Sequence, residues 1–182
     1  VSQIGSQWND NVLTVFNDTG GGTIVDMGYS NNVLAVSRLG NVGSHGIVKL
    51  YTYNHTISDW DAETHEIYIE GEVYFGSYLE LYNDILVFSN TPIDDVTAGT
   101  GEIHTYKYNS TYSTWAAKNV ITDSVIGQNF GHEGVAMYGG RLAIGSPKDA
   151  TSTIDKGSVV CYTWDVVEDD WTFSERLTPS LA

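Results

Sequence analysis

Apolar residues recur along this chain in short runs of two kinds, always in the same order. One kind is a continuous run ending in a small residue: Val33-Leu34-Ala35-Val36-Ser37, Ile85-Leu86-Val87-Phe88-Ser89 and Leu142-Ala143-Ile144-Gly145-Ser146. A run apolar at every position and this short predicts a strand covered on both faces. The other kind opens on glycine and is rich in aromatics, over residues 46–53, 101–108 and 157–164. It predicts a second strand, reached through a longer loop that contains Pro92 or Pro147 in two of the three cases. Ahead of each continuous run stands a two-residue turn, Asn31-Asn32, Asn83-Asp84 or Gly139-Gly140, made of residues that tolerate positive φ. A strand precedes the later two turns (Tyr78 to Tyr82, Val135 to Tyr138). A fourth strand carries a tryptophan, as in Thr114-Trp115-Ala116-Ala117 and Trp171-Thr172-Phe173.

The order repeats. Trp8, Trp60, Trp115 and Trp171 stand 52, 55 and 56 residues apart. A four-stranded unit recurring at this spacing predicts an all-β chain of propeller blades, because one such sheet cannot cover both of its own faces. The expected layout is three four-stranded antiparallel blades plus one leading strand: residues 1–17 as the last strand of a preceding blade, then blades over 18–74, 75–129 and 130–182. The recurring Trp, Tyr and Val are expected to fill the space between blades. Closed propellers need at least four blades. The expectation is therefore an excerpt of a larger propeller, or open ends completed by another copy or subunit as a ring or filament.

Two units open with Phe-Gly, at Phe75-Gly76 and Phe130-Gly131, whereas the first should open near Gly22-Thr23, where Phe is missing. Together with the apolar run, Thr-Pro-Ile-Asp-Asp or Ser-Pro-Lys-Asp, and the Gly-initiated aromatic strand, this resembles the FG-GAP repeat of integrin-alpha-like β-propellers. The resemblance is close in the second and third units and looser in the first. It implies a propeller fold, and function has to be read from other features, since one fold hosts many jobs. Integrin-type repeats often carry an Asp-X-Asp-X-Asp-Gly calcium loop between the first two strands. Here that connection is only Ser30-Asn31-Asn32, Asn83-Asp84 or Gly139-Gly140-Arg141, too short to surround Ca²⁺ with oxygen ligands.

Charge narrows the partners. With 8 Lys and Arg against 23 Asp and Glu, the net charge is −15, which argues against nucleic acid and against an anionic membrane surface. No apolar run approaches the length needed to cross a bilayer. Asn17-Asp18-Thr19, Asn54-His55-Thr56 and Asn109-Ser110-Thr111 are N-glycosylation sequons. Asn54 and Asn109 occupy the same turn of adjacent units, with Asp165 in the third, and Asn17 should emerge at the opposite end. Glycans at these three positions would mean a secreted or cell-surface protein, and would direct binding to the unshielded face or the open edge.

Candidate chemistry is sparse. Asp94, Asp95, Asp149 and Asp155 gather acidity in the longer loops. They read first as solvated Asx turns, with a calcium site as the alternative and no other cofactor expected. His45, His55, His65, His104 and His132 show no metal spacing. Cys161 cannot form an internal disulfide and aligns with Leu50 and Thr105, which predicts a small buried thiol. His104 is expected to be packed or half-exposed rather than a ligand. Asp94-Asp95 and Glu168-Asp169-Asp170 are carboxylate pairs of the kind glycosidases use, but they fall in predicted surface turns, and no nucleophile motif accompanies them. The expectation is a non-catalytic extracellular glycoprotein module for protein–protein interaction or adhesion. Its alternative is a structural subunit of an extracellular filament, appendage or coat, and a propeller glycosidase ranks third.

Overall fold

Strands alone form the regular structure of the residues described by the computed structural model, namely 23–40, 45–61, 65–91, 101–123, 129–132, 134–147 and 157–179. The first sheet contains β1 (Thr23–Ser30), β2 (Val33–Leu39) and β3 (Ile47–Asn54). Its fourth position is shared by β4 (Asp59–Trp60) and β5 (His65–Ile67), both antiparallel to β3. The second sheet runs β6 (Phe75–Tyr82), β7 (Ile85–Asn90), β8 (Glu102–Asn109) and β9 (Thr114–Thr122). The third runs β10 (Val135–Tyr138), β11 (Arg141–Ser146), β12 (Ser158–Asp165) and β13 (Asp170–Leu177). Each is an antiparallel meander with neighbours in sequence order, as propeller blades require.

The turn chemistry explains the meanders. Asn31 and Asn32 (φ 47° and 64°) and Gly139 and Gly140 (φ 56° and 72°) place both central residues at positive φ, the form that matches the twist of a two-residue hairpin. The turns between third and fourth strands repeat one device, in which Asn54, Asn109 and Asp165 each accept backbone N–H bonds on Oδ1 two or three residues on. Four residues after each of these, Ser58, Ser113 and Asp169 take up positive φ.

Two cores lie between blades. The first joins Ala35, Val48, Leu50 and Ile67 of one blade to Phe75, Leu79, Leu81, Leu86, Phe88 and Trp115 of the next. The second joins Ile85, Val87, Ile103 and Ile121 to Phe130, Met137, Leu142, Ile144, Val160 and Trp171. The second blade therefore receives its successor on one face and inserts into its predecessor with the other. Phe75 and Phe130 are fully buried plugs at these joints. Gly76 and Gly131 follow at φ 89° and 80°, lying against Ser37 and Ser89 of the preceding blade. The glycine that opens the third strand is explained by the same joint. A Cβ on Gly101 would lie 1.8 Å from the Phe130 carbonyl oxygen, and one on Gly46 would lie 2.3 Å from that of Phe75.

Two expectations need correction. The fourth strand of the first blade is divided into β4 and β5, with Trp60 half-buried against Leu34, Val36 and Tyr51 rather than sealed between two blades. The first blade opens at Thr23, close to where the sequence placed it, with Ile24 in place of the missing Phe. Ile24 pairs with Arg38 as Phe75 pairs with Asn90, and Arg38 and Asn90 are each the sixth residue of their strand. A bulge between Ile24 and Asp26 hides this in the sequence. Cys161 is half-buried rather than buried, whereas its counterparts Leu50 and Thr105 are covered by a following blade. The leading strand with Trp8 and Asn17, Pro92, and the four loop carboxylates Asp94, Asp95, Asp149 and Asp155 lie outside the described residues.

Candidate interaction faces

The first candidate surface is the end of the molecule where the hairpin turns meet the sequon turns. A cleft of about 540 Å³ opens there between the first two blades, floored by Val33 and Trp115 and bordered by Asn31, His65, Asn83, Asp84 and Tyr108. Its rim is tied across the joint. The Asn31 amide donates to Asn83 Oδ1 (3.2 Å), the Asn83 N–H donates to Ser30 Oγ (2.9 Å), and His65 Nε2 lies 2.9 Å from Thr114 Oγ1. A second cleft of about 340 Å³ follows between the second and third blades, lined by Asp84, Lys107, Tyr108, Asn109, Lys118 and Asp169. Asn109 thus stands at the lip of that cleft. Its turn is held by Oδ1 alone, so Nδ2, the atom that takes a sugar, is not needed for it. In Asn54, Nδ2 donates to Asp61 Oδ1 (3.1 Å).

Charged groups in these joints serve as clamps. Lys107 and Lys118 both bind the Asp169 carboxylate, and Lys107 also lies 5.2 Å from the Trp164 ring centre. Bonds from the two ammonium groups hold the Asp169 carboxyl below the usual carboxylate range. Arg176 binds the buried Asp123, and the Asn119 amide donates to Asp170 Oδ2 (3.0 Å). In the first joint the Leu79 N–H donates to Asp26 Oδ2 (2.8 Å). Glu80, on the same inner strand, is pushed up by burial and then by the Asp26 charge. His104 is buried, stacked on Phe88 (5.7 Å, 4° between planes) and edge-on to Phe75. Burial holds its imidazole below the ordinary value, against the opposing pull of Glu102 and Glu72.

His104 is packed, as its strand position suggested, whereas the pairing of Lys107, Lys118, Asp123 and Arg176 escaped the sequence because no local motif marks it. Two of the clamps, Lys118 with Asp169 and Arg176 with Asp123, join opposite charges 51 and 53 positions apart, close to the blade repeat, and that spacing is the signal that would have found those two. Among the predicted carboxylate pairs, Asp169 and Asp170 are engaged with Lys107, Lys118 and Asn119, and Asp94-Asp95 lies outside the described residues. Among the described residues, no group of three or more His, Cys, Asp or Glu is placed to hold a metal ion.

The second candidate surface is the pair of sheet faces left without a neighbouring blade in the described structure. On the first blade, Ile24, Met27 and Tyr29 are exposed in front of Leu34, Val36, Tyr51 and Trp60. On the third blade, Val159 and Leu177 are exposed and Ala143 and Cys161 are half-buried.

No family model matches the chain, and neither does any curated protein. Among solved structures it is similar to the crystal structure of Saccharomyces cerevisiae Sqt1, with a TM-score of 0.57 at 11% identity, over 90% of this chain and 37% of that one. Sqt1 has a propeller-type fold, and the likeness shows that this all-β chain is built of four-stranded propeller blades. The chain spans 37% of the length of Sqt1. An identity this low carries the fold and not the activity.

Proposed function

We propose that this chain is a non-catalytic, FG-GAP-like propeller segment of an extracellular glycoprotein, working in protein–protein interaction or adhesion through its open blade faces. The observation that carries the reading is the joint. The chain uses it twice internally and, among the described residues, leaves one uncovered face of each kind, each bearing exposed apolar side chains. Apolar surface of this kind at the edge of a soluble β-rich protein is characteristic of association. The non-catalytic part is supported by how the shifted groups are used. The lysine-paired Asp169 ties two blades together, and His104 is a packing ring. The extracellular part is supported by Asn54 and Asn109, which sit in equivalent turns at one end of adjacent blades.

A second reading, a structural subunit of an extracellular filament or coat, is favoured by one specific feature. The two open faces are of opposite kinds, and heterologous contacts propagate. Secretion of the chain from eukaryotic cells, with intact mass measured before and after enzymatic N-glycan removal, tests the extracellular reading. The expected result is a mass that falls on glycan removal, with Asn109→Gln and Asn54→Gln each losing one glycan. Secreted protein at the mass of the bare chain throughout would overturn it.

A further inference from the structure

Counting from the two-residue hairpin turn puts the three blades in one register, and the open faces then have buried counterparts. Val48 pairs with Ile67 and Ile103 with Ile121, and all four are buried under the following blade. Val159 pairs with Leu177 in the same register, and these are 38% and 51% exposed. At the other end, Leu79 and Leu81 are buried in the first joint. Met27 and Tyr29, which pair with β2 as Leu79 and Leu81 pair with β7, are 64% and 61% exposed. Among the described residues, the third blade therefore presents an uncovered receiving face and the first an uncovered inserting face.

The plug and its socket are open as well. Phe130 lies against Gly101 and accepts a bond from Thr91 Oγ1 (2.8 Å). At the corresponding place on the third blade is a cleft of about 560 Å³ lined by Gly145, Pro147, Gly157, Val159 and Leu177. On the first blade Ile24 holds the plug register, and it is followed by Val25 where Gly76 follows Phe75. The residues against which Gly76 and Gly131 press are Ser37 and Ser89, and the third blade has Gly145 in that register.

We infer that the open receiving face of the third blade takes the first blade of a second copy of this chain, through the same joint that links the blades within it. The inference rests on the interaction reading above and names the partner. The three described blades of two copies, joined twice, fall within the four to eight blades at which propellers close. The contact is heterologous and closes as a ring instead of running on as a filament.

Met27→Lys and Val159→Lys separate the two faces, and both side chains are solvent-exposed, so each variant should keep the fold and its far-ultraviolet spectrum. Sedimentation of the unaltered chain is expected to give twice the chain mass, falling twofold in either variant. Mixed together, the two variants should regain a two-chain species. The inserting face of the Val159→Lys chain and the receiving face of the Met27→Lys chain still make one intact joint. A wild-type chain that stays monomeric at every soluble concentration would overturn the proposal, since the faces would then serve some other blade. So would a dimer broken by only one of the variants, or a mixture that does not reassociate. A monomer that is nonetheless glycosylated removes the second copy and leaves the extracellular reading standing.

Discussion

Gly101 shows how little room the joint between blades leaves. Its α-carbon faces the Phe130 carbonyl so closely that Gly101→Ala must displace backbone, and the loss should reach or exceed the ~1–3 kcal/mol usual for overpacking. Phe130→Ala empties the same joint from the other side, and for a fully buried Phe about 3–5 kcal/mol is expected. Urea unfolding of both variants checks the pair, and losses below about 1 kcal/mol would contradict the joint. His104 adds a pH dependence at the first joint. Burial lowers its folded pKa, so as pH falls the unfolded chain takes up the proton first. The stability from the neutral ring is complete above the ordinary imidazole value and is lost as pH falls below it toward the folded value. The thermal midpoint should therefore drop as pH falls below the ordinary imidazole value of about 6.5. His104→Val, copying Val160 of the third blade, should flatten that drop, and an unchanged slope would contradict the assignment. The plugs were legible because Phe-Gly recurs. Ile24 was not, because a one-residue bulge shifts its place in the sequence without shifting its place in the sheet.

At the scale of elements, most strands and both kinds of turn were legible, because binary pattern and turn chemistry act locally. The break between β4 and β5 was not. In the second and third blades, the pairing of third and fourth strands shifts register between His104 and Tyr106 and between Cys161 and Tyr162. In the first blade the same region is widened until the strand divides, a difference of degree that single residues do not announce. The clamps between blades belong to this scale and differ in depth. Asp123 is buried, so Asp123→Asn, which takes the charge from the Arg176 pair, should cost about 1–3 kcal/mol. Lys118→Met acts on the exposed side of the joint, where Lys107 still holds Asp169, and should cost less than about 1 kcal/mol. Chemical denaturation of the two variants side by side tests the ranking, and equal losses would contradict it.

For the whole molecule, the repeat made the architecture readable while the open faces became visible only once residues one blade apart were compared. Leu79 and Met27 look alike as apolar residues on inner strands. Only their places at a covered and an uncovered face separate them. The charge of −15 bears on the same scale, because association brings two acidic chains together. Added salt should therefore strengthen self-association by screening that repulsion, and sedimentation across ionic strength checks the sign. Cys161 offers the most direct test of the account's central claim, as the single cysteine of the chain and a half-exposed residue on the receiving face. Its rate of alkylation should fall as protein concentration rises, while in Met27→Lys it should stay at the fast rate throughout. A thiol that reacts at one rate at all concentrations, in both proteins, would mean that no second chain covers the face.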